Sequence, residues 1–407
     1  MEYISTRNKN LKYNFKDIFF RGLAPDGGLF IPNQIKKYNE AEIKKLSTLN
    51  YVDLATEIIF NFCSSSLEKN KLKNIIKKSY KNFSSEEVIE LKKFGNLNLI
   101  ELYHGPTLAF KDIAMQVLGN MYDEFNISSN KKVNIIVATS GDTGSAAIAA
   151  LNDRKNINVF VLHPHEKISN IQRKIMTTIG SNNVYNIAIK GTFDDCQKLV
   201  KEMFSENDFR QKINMSGVNS INWARIICQI VYYFYSYFKF QNKKVSFAVP
   251  TGNFGDVFAG YVAKKMGLPI EKLIVATNEN DILERVINTG EYKPTKVKPS
   301  LSPSMDVQIS SNFERLLFDV LNEDDKQVSI FMNDLKSKGS FLLNKEQIAI
   351  IKKDFNAKKI NDKETIEIIK NFSKEYNFVI DPHTATAVGA SKDIKDGSEL
   401  LILGTAH

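Results

Sequence analysis

Cysteine and tryptophan are scarce in this sequence of 407 residues, which contains three cysteines and one tryptophan. Cys63, Cys196 and Cys228 show no CxxC spacing and are too few for a disulfide scaffold, so we expect buried free thiols and a reducing compartment. The sequence also lacks a P-loop, a dinucleotide-binding glycine pattern and a GxSxG elbow. These absences disfavour binding of ATP or NAD and the mechanism of an α/β-hydrolase.

Long hydrophobic runs are missing as well. The most apolar segment, 226–240, is about fifteen residues long and carries Gln229, Ser236 and Lys239, so it is too short to span a bilayer. The first twelve residues lack the apolar stretch of a signal peptide. We therefore expect a cytoplasmic protein without a membrane partner.

The chain carries a net charge of +9, with 43% hydrophobic and 25% charged residues. Its lysines between residues 69 and 81 lie along a helix-like stretch without the interleaved aromatic residues of a single-strand binder. We expect no nucleic-acid partner, and lysine bias or an anionic small substrate explains the charge. His163-Pro-His165 has no downstream ligand pattern, so no metal is expected.

The pattern along the chain predicts an α/β protein of two or three lobes, because 407 residues exceed the size of one hydrophobic core. Residues 1–94 read as a mostly helical domain, interrupted by a tight loop at 22–32. Residues 95–407 read as a core of two α/β lobes, about 95–215 and 216–407. In that core, short β-branched runs alternate with amphipathic stretches, which is typical of parallel strands joined by helices. The predicted strands are Val133–Ala138, Val159–Leu162, Val184–Ile189, Val245–Val249, Leu273–Ala276 and Glu399–Leu403, with a helical block at 309–376.

Lys111 is the first candidate for chemistry. It follows His104-Gly-Pro-Thr and starts an amphipathic run that reaches Phe125. The apolar Leu108, Ala109 and Phe110 beside it would supply the partly dry surroundings that a Schiff-base lysine needs. A solvated helix lysine is the alternative for any lone Lys.

Two glycine-containing loops follow predicted strands. Thr139 to Gly144 follows Val133–Ala138, and Thr251 to Gly255 follows Val245–Val249. Backbone N–H groups at such strand-to-helix junctions form anion cradles, although an ordinary tight turn remains open for the loop after Ala138. Asn219-Ser-Ile-Asn-Trp-Ala-Arg225 gathers hydroxyl, amide and guanidinium donors that suit a phosphate or carboxylate. The alternative for this last segment is a helix capped by Asn219 or Ser220, with a core tryptophan and a surface arginine.

These four segments, in this order, resemble the signature blocks of the threonine synthases. Tyr3–Arg7, 22–32, Gly191–Asp195 and Thr405-Ala-His407 are also similar to that family, so the resemblance covers nearly the whole chain. It implies the two-lobed, tryptophan synthase β-like fold type II of pyridoxal-phosphate (PLP) enzymes, with a helical N-terminal segment and the cofactor between the lobes. The implied reaction converts the substrate O-phospho-L-homoserine and water to L-threonine and phosphate. The implied assembly is a monomer or homodimer.

The resemblance also implies a role for each matching residue. Lys111 would carry the PLP cofactor and act as the catalytic base. The implied cofactor contacts are Asp142, Thr405 and the amides of Gly252, Asn253, Phe254 and Gly255. The implied substrate contacts are Ser140, Gly141 and Thr143 with Asn219, Ser220 and Arg225.

Two alternatives stay open within this resemblance. A threonine dehydratase or another lyase of the same fold would share Lys111 and the glycine loops but would need no second phosphate site. A catalytically silent PLP-binding homologue is the other alternative. The family pattern continues past Thr-Ala-His, whereas this sequence stops at His407, so a frayed last strand is the alternative to a cofactor contact by Thr405.

Overall fold

The computed structural model describes residues 1–127, 132–166, 168, 170–240, 243–394 and 396–407. The chain packs into two compact units that interleave along the sequence. The first unit comprises Met1–Gln34, Ala55–Ser84 and His104–Cys228, and the second comprises Ile35–Leu54, Ser85–Tyr103 and Gln229–His407. Domain boundaries near residues 94 and 215 stay a prediction. Among the described helices, none is long and apolar enough to cross a membrane.

The strands are β1 (Tyr3–Ser5), β2 (Asn8–Tyr13), β3 (Phe30–Pro32), β4 (Glu90–Phe94), β5 (Leu97–Glu101), β6 (Val133–Ala138), β7 (Ile157–Pro164), β8 (Val184–Ile189), β9 (Met215–Ser216), β10 (Val245–Pro250), β11 (Ile270–Thr277), β12 (Glu291–Tyr292), β13 (Phe341–Leu342), β14 (Phe355–Lys359) and β15 (Glu399–Gly404). The helices are α1 (Phe15–Arg21), α2 (Glu40–Leu46), α3 (Tyr51–Cys63), α4 (Lys69–Tyr80), α5 (Lys111–Asn126), α6 (Asp142–Leu151), α7 (Asn170–Thr178), α8 (Phe193–Ser205), α9 (Asn207–Lys212), α10 (Trp223–Phe238), α11 (Gly255–Lys265), α12 (Ile282–Thr289), α13 (Phe313–Val320), α14 (Asp325–Lys338), α15 (Lys345–Asp354), α16 (Asp362–Tyr376) and α17 (Pro382–Ser391).

The first unit contains a four-stranded parallel sheet in the order β8-β7-β6-β9. The carboxyl ends of parallel neighbours meet at one edge of a sheet, so β6 and β9 deliver the segments after Ala138 and Ser216 to the same place. Helix α5 packs against α4 and α6. The prediction of parallel strands joined by helices is confirmed for this sheet.

The second unit contains a six-stranded sheet in the order β14-β11-β10-β15-β5-β4, parallel except for the edge pair β4–β5. The last strand, β15, lies inside this sheet between β10 and β5. The Leu102 amide donates to the Gly404 carbonyl at 2.9 Å, and this bond holds the end of β15 in addition to the pairing of the strands. The alternative of a frayed last strand was therefore wrong, because strand pairing on both sides fixes β15.

Several strands were not predicted from the sequence, among them β1 to β3 and β14. The region predicted as mostly helical also contains an antiparallel sheet, β2-β1-β3, in which Tyr3 pairs with Pro32. The Tyr3 hydroxyl donates to the Phe62 carbonyl at 2.6 Å and ties this sheet to α3. The block predicted as helical at 309–376 contains β14, which pairs with β11 as the edge strand of the six-stranded sheet.

The three thiols are free and buried, as predicted. Burial raises the pKa of Cys63 to about 12 and that of Cys196 to about 11. Such thiols stay protonated and act as small apolar side chains at neutral pH.

Candidate active site

Lys111 is the first residue of α5, at the loop-to-helix junction that the sequence predicts. The loop before it is held by Asp112, whose carboxylate accepts from the Thr107 amide at 2.7 Å and the Thr107 hydroxyl at 2.8 Å. Asp112 is fully buried. Burial raises the pKa of its carboxyl to about 6, against the opposing effect of the Thr107 hydrogen bonds. This contact fixes the backbone from which the Lys111 side chain extends.

The Lys111 amine lies in partly dry surroundings. Its side chain is 12% exposed, and Nζ lies 3.0 Å from Oδ2 of Asp142, which is 13% exposed. Nζ also lies 4.8 Å from the centre of the Phe110 ring, the apolar neighbour that the sequence analysis named. The Gln172 amide donates to the other Asp142 oxygen. The amine is thus placed beside the amino end of α6, where Asp142 is the first helical residue.

The loop from Ser140 to Thr143 connects β6 to α6. Gly141 adopts φ = 140°, a region that side-chain-bearing residues rarely enter. Buried Thr139, which the sequence analysis did not select, accepts from the amides of Gly141 and Gly144 at 2.9 and 2.8 Å. The amides of Ser140 and Thr143 donate to no acceptor in the described part of the chain. The loop therefore offers an anion the amides of Ser140 and Thr143, whereas those of Gly141 and Gly144 are already engaged by Thr139.

The segment from Asn219 to Arg225 follows β9 and meets this loop. The Asn219 side chain donates to the Ala138 carbonyl at 3.2 Å, directly before the Ser140 loop. The structure thus brings together the two segments that the resemblance assigns to the substrate. The alternative of a helix cap by Asn219 or Ser220 was wrong, because the Asn222 side chain accepts from the Ala224 amide at 3.0 Å at the start of α10.

Arg225 is buried, with 2% of its surface exposed, so the alternative of a surface arginine was also wrong. Its Nη1 donates to the Val218 carbonyl at 3.1 Å. That bond closes the turn between β9 and α10. This bond uses one of the five N–H donors that a guanidinium carries.

The second unit holds the other glycine loop, between β10 and α11. The amides of Gly252, Asn253, Phe254 and Gly255 donate to no acceptor of the described residues. Phe254 adopts the left-handed conformation with φ = 61°, and its fully buried ring packs against Phe313 and Phe355. A β-carbon at Gly252 would lie 2.9 Å from the Ser304 carbonyl oxygen, so this position requires glycine. Together these features make a preformed row of amide donors at a helix N-terminus, which is an anion cradle.

Thr405 follows β15 and is 6% exposed. Because β15 runs parallel to β10, Thr405 and the glycine loop lie at the same edge of the six-stranded sheet. Its hydroxyl makes no hydrogen bond within the described residues. The two cofactor elements predicted in this unit are therefore brought to one edge.

Comparison with known proteins covers the whole chain. Residues 2–80 match the family model for the threonine synthase N terminus, and residues 93–334 match the model for pyridoxal-phosphate-dependent enzymes. The chain is 42% identical to threonine synthase of Pseudomonas aeruginosa, over 100% of this chain and 88% of that protein. It is 43% identical to threonine synthase of Saccharomyces cerevisiae, over 100% of this chain and 86% of that protein.

Solved structures give the same result. A PLP-bound threonine synthase from Brucella melitensis superposes with a TM-score of 0.95 at 42% identity, over 100% of this chain and 89% of that one. A PLP-dependent aspartate racemase superposes with a TM-score of 0.55 at 13% identity, over 82% of this chain and 94% of that one, which shows a shared fold only. The fold is therefore that of the fold type II PLP enzymes, and the chain belongs to the threonine synthase family.

Proposed function

We propose that this protein converts O-phospho-L-homoserine and water to L-threonine and phosphate, with its PLP cofactor carried by Lys111. The observation that carries the proposal is the full-length identity to threonine synthases combined with a shielded Lys111 amine 3.0 Å from Asp142. Neighbouring groups hold this lysine at the start of a helix. Such fixed orientation suits a nucleophile that attacks the aldehyde carbon of a bound cofactor.

The residues present fit pyridoxal phosphate. The four amides from Gly252 to Gly255 match the needs of a phosphate, and the Thr405 hydroxyl at the same sheet edge suits a ring nitrogen. When bound, the cofactor supplies an electron sink for the substrate's α-carbon and β-carbon. Lys111 then moves the proton at Cα and afterwards one at Cβ.

The substrate contacts follow from the first unit. We assign the substrate carboxylate to the amides of Ser140 and Thr143, because Thr139 already engages Gly141. Gly141 shapes this loop through its φ of 140°. We assign the substrate phosphate to Ser220 and Arg225, with Asn219 and Thr143 beside them. Phosphate leaves from Cγ, so donors aimed at its developing charge lower the barrier. Cγ then takes up a proton and becomes the methyl group of threonine, water adds its hydroxyl group at Cβ, and Cα regains its proton.

The assay that tests this function measures two products. Purified protein with PLP is incubated with O-phospho-L-homoserine, and threonine and phosphate are quantified together. We expect equal amounts of both. A threonine dehydratase would instead release a 2-oxo acid from threonine, and a silent homologue would release neither product. Phosphate without threonine, or neither product, would contradict the proposal. We place the activity in a reducing compartment such as the cytoplasm, on the strength of the free buried thiols.

A further inference from the structure

The carbonyl groups of the Gly252–Gly255 cradle are captured by one neighbouring segment. The Ser310 hydroxyl donates to the Gly252 carbonyl at 2.9 Å. The Asn312 side chain donates to the Asn253 carbonyl at 2.9 Å, and the Asn312 amide donates to the same oxygen at 3.2 Å. Two successive peptide units of the cradle are thus held by their carbonyl ends.

This capture determines where the amides point. The described residues contain no cis peptide bond, and in a trans peptide the N–H points opposite to the C=O. Pulling the Gly252 carbonyl toward Ser310 therefore aims the Asn253 amide the other way. In the same way, the Asn253 carbonyl points toward Asn312, so the Phe254 amide points away from Asn312. Packing of Phe313 on the Phe254 ring, with ring centres 5.5 Å apart, holds Phe254 in its left-handed conformation.

Arg315 decides which end of the Asn312 amide faces the cradle. Its Nη1 donates to Oδ1 of Asn312. A guanidinium only donates, so Oδ1 must face Arg315 and the NH₂ group must face the Asn253 carbonyl. Arg315 is fully buried, and burial lowers the pKa of its guanidinium to about 9, so it stays charged at neutral pH. A buried charge thereby polarises the amide that holds the cradle.

We propose that Asn312, oriented by Arg315, is a positioning residue that aims the Asn253 and Phe254 amides at the cofactor phosphate. The inference rests on the proposed function, which assigns that phosphate to the cradle. Asn312 touches neither substrate nor cofactor in this account and acts only through the backbone.

The test compares pyridoxal phosphate with pyridoxal, which lacks the phosphate. Asn312→Asp keeps an acceptor for Arg315 but turns a carboxylate oxygen toward the Asn253 carbonyl. We expect it to weaken PLP binding to the cofactor-free protein by about tenfold or more, while pyridoxal binding changes by less than about twofold. Ser310→Ala releases only the Gly252 carbonyl and should give a smaller loss in the same direction. It also serves as the deciding variant if Asn312→Asp does not fold.

Two further variants make the outcomes distinguishable. Asn98→Asp is the matched control, since Asn98 is equally buried and its amide donates to the Leu400 carbonyl at 3.1 Å on other strands of the sheet. Gly252→Ala perturbs the cradle directly. A loss specific to PLP in Asn312→Asp and Gly252→Ala, absent in Asn98→Asp, supports the inference.

Three results would overturn it. If Gly252→Ala shows the loss and Asn312→Asp does not, the positioning role fails while the cradle assignment stands. If neither variant discriminates between PLP and pyridoxal, the cradle assignment fails and the positioning role fails with it. If Asn98→Asp loses PLP as selectively as Asn312→Asp, the effect belongs to the buried charge and not to the cradle.

Discussion

The Nζ atom of Lys111 lies 3.0 Å from a carboxylate oxygen of Asp142, and both side chains are largely shielded from water. A charge-assisted hydrogen bond of this kind orients the amine, with a contribution of about 1.5–3 kcal/mol. The bond joins the start of α5 to the start of α6, so Lys111 is positioned by the same loop that we assign to the substrate.

Replacing Asp142 by Ala should therefore slow cofactor loading and turnover by about tenfold or more, because the amine loses its fixed orientation. Asp142→Asn, which keeps one acceptor oxygen, should fall between Ala and the natural residue. The rise of visible absorbance after mixing cofactor-free protein with PLP measures loading. Exposed Asp153→Asn in the same unit is the control. Wild-type loading and turnover in Asp142→Ala would refute the role.

Asp112 should give stability a defined pH dependence. Its carboxyl pKa is about 6 in the folded protein, above the ordinary value of about 4, so the folded state holds this proton more tightly than the unfolded chain. The protonated Asp112 carboxyl therefore contributes fully to the free energy of unfolding below about pH 4, and this contribution is lost as the pH rises through about 6. Asn does not titrate, so the free energy of unfolding of Asp112→Asn should increase relative to wild type by up to about 3 kcal/mol as the pH rises from about 4 to above 6. Denaturant unfolding at several pH values measures this, and a constant difference would contradict it.

Arg225→Leu should impair use of O-phosphohomoserine far more than it alters PLP binding. We expect the loss of a donor to the leaving phosphate to lower kcat/KM by about two to three decades. The variant also leaves the Val218 carbonyl without its donor, which should lower the free energy of unfolding by about 1–3 kcal/mol. Arg225→Lys, which retains the charge, is the comparison. A variant that loses PLP while keeping its KM would reverse the assignment.

Thr405→Asp should retain PLP but reduce threonine formation, whereas Thr405→Ser should stay near wild type. A hydroxyl can donate to a neutral ring nitrogen, while an aspartate favours the protonated ring and changes how strongly electrons are withdrawn. Threonine formation and the absorbance of the bound cofactor are the measurements. In a PLP-bound structure, a Thr405 hydroxyl more than about 3.5 Å from the ring nitrogen would sink the assignment.

The sequence predicted the strand-to-helix loops because each carries a local signal. Val245–Val249 is a short, mostly apolar run with a β-branched valine at each end, and the glycines that follow it favour a tight turn, so β10 and its loop could be placed without the structure. Strand β2 could not be placed this way, since Asn8–Tyr13 reads as mostly polar. Strand β14 is a short edge strand with two lysines, and only its pairing with β11 makes it a strand.

Polar contacts between segments that are distant in sequence could not be predicted either. The Thr107–Asp112 bonds span one short loop, yet nothing in the residue types reveals that Asp112 is buried. Ser310 and Asn312 lie about sixty residues from the carbonyls they hold. Long-range polar pairs of this kind depend on tertiary packing, which local periodicity does not encode.

The central claim is that Lys111 carries the cofactor, and chemical trapping tests it most directly. Borohydride reduction of the PLP-loaded protein fixes the cofactor on its lysine, and peptide mapping then identifies that residue. We predict the pyridoxyl group on Lys111 alone, and no trapped group together with no turnover in Lys111→Ala. Stoichiometric labelling of any other lysine, with Lys111 unmodified, would contradict the account.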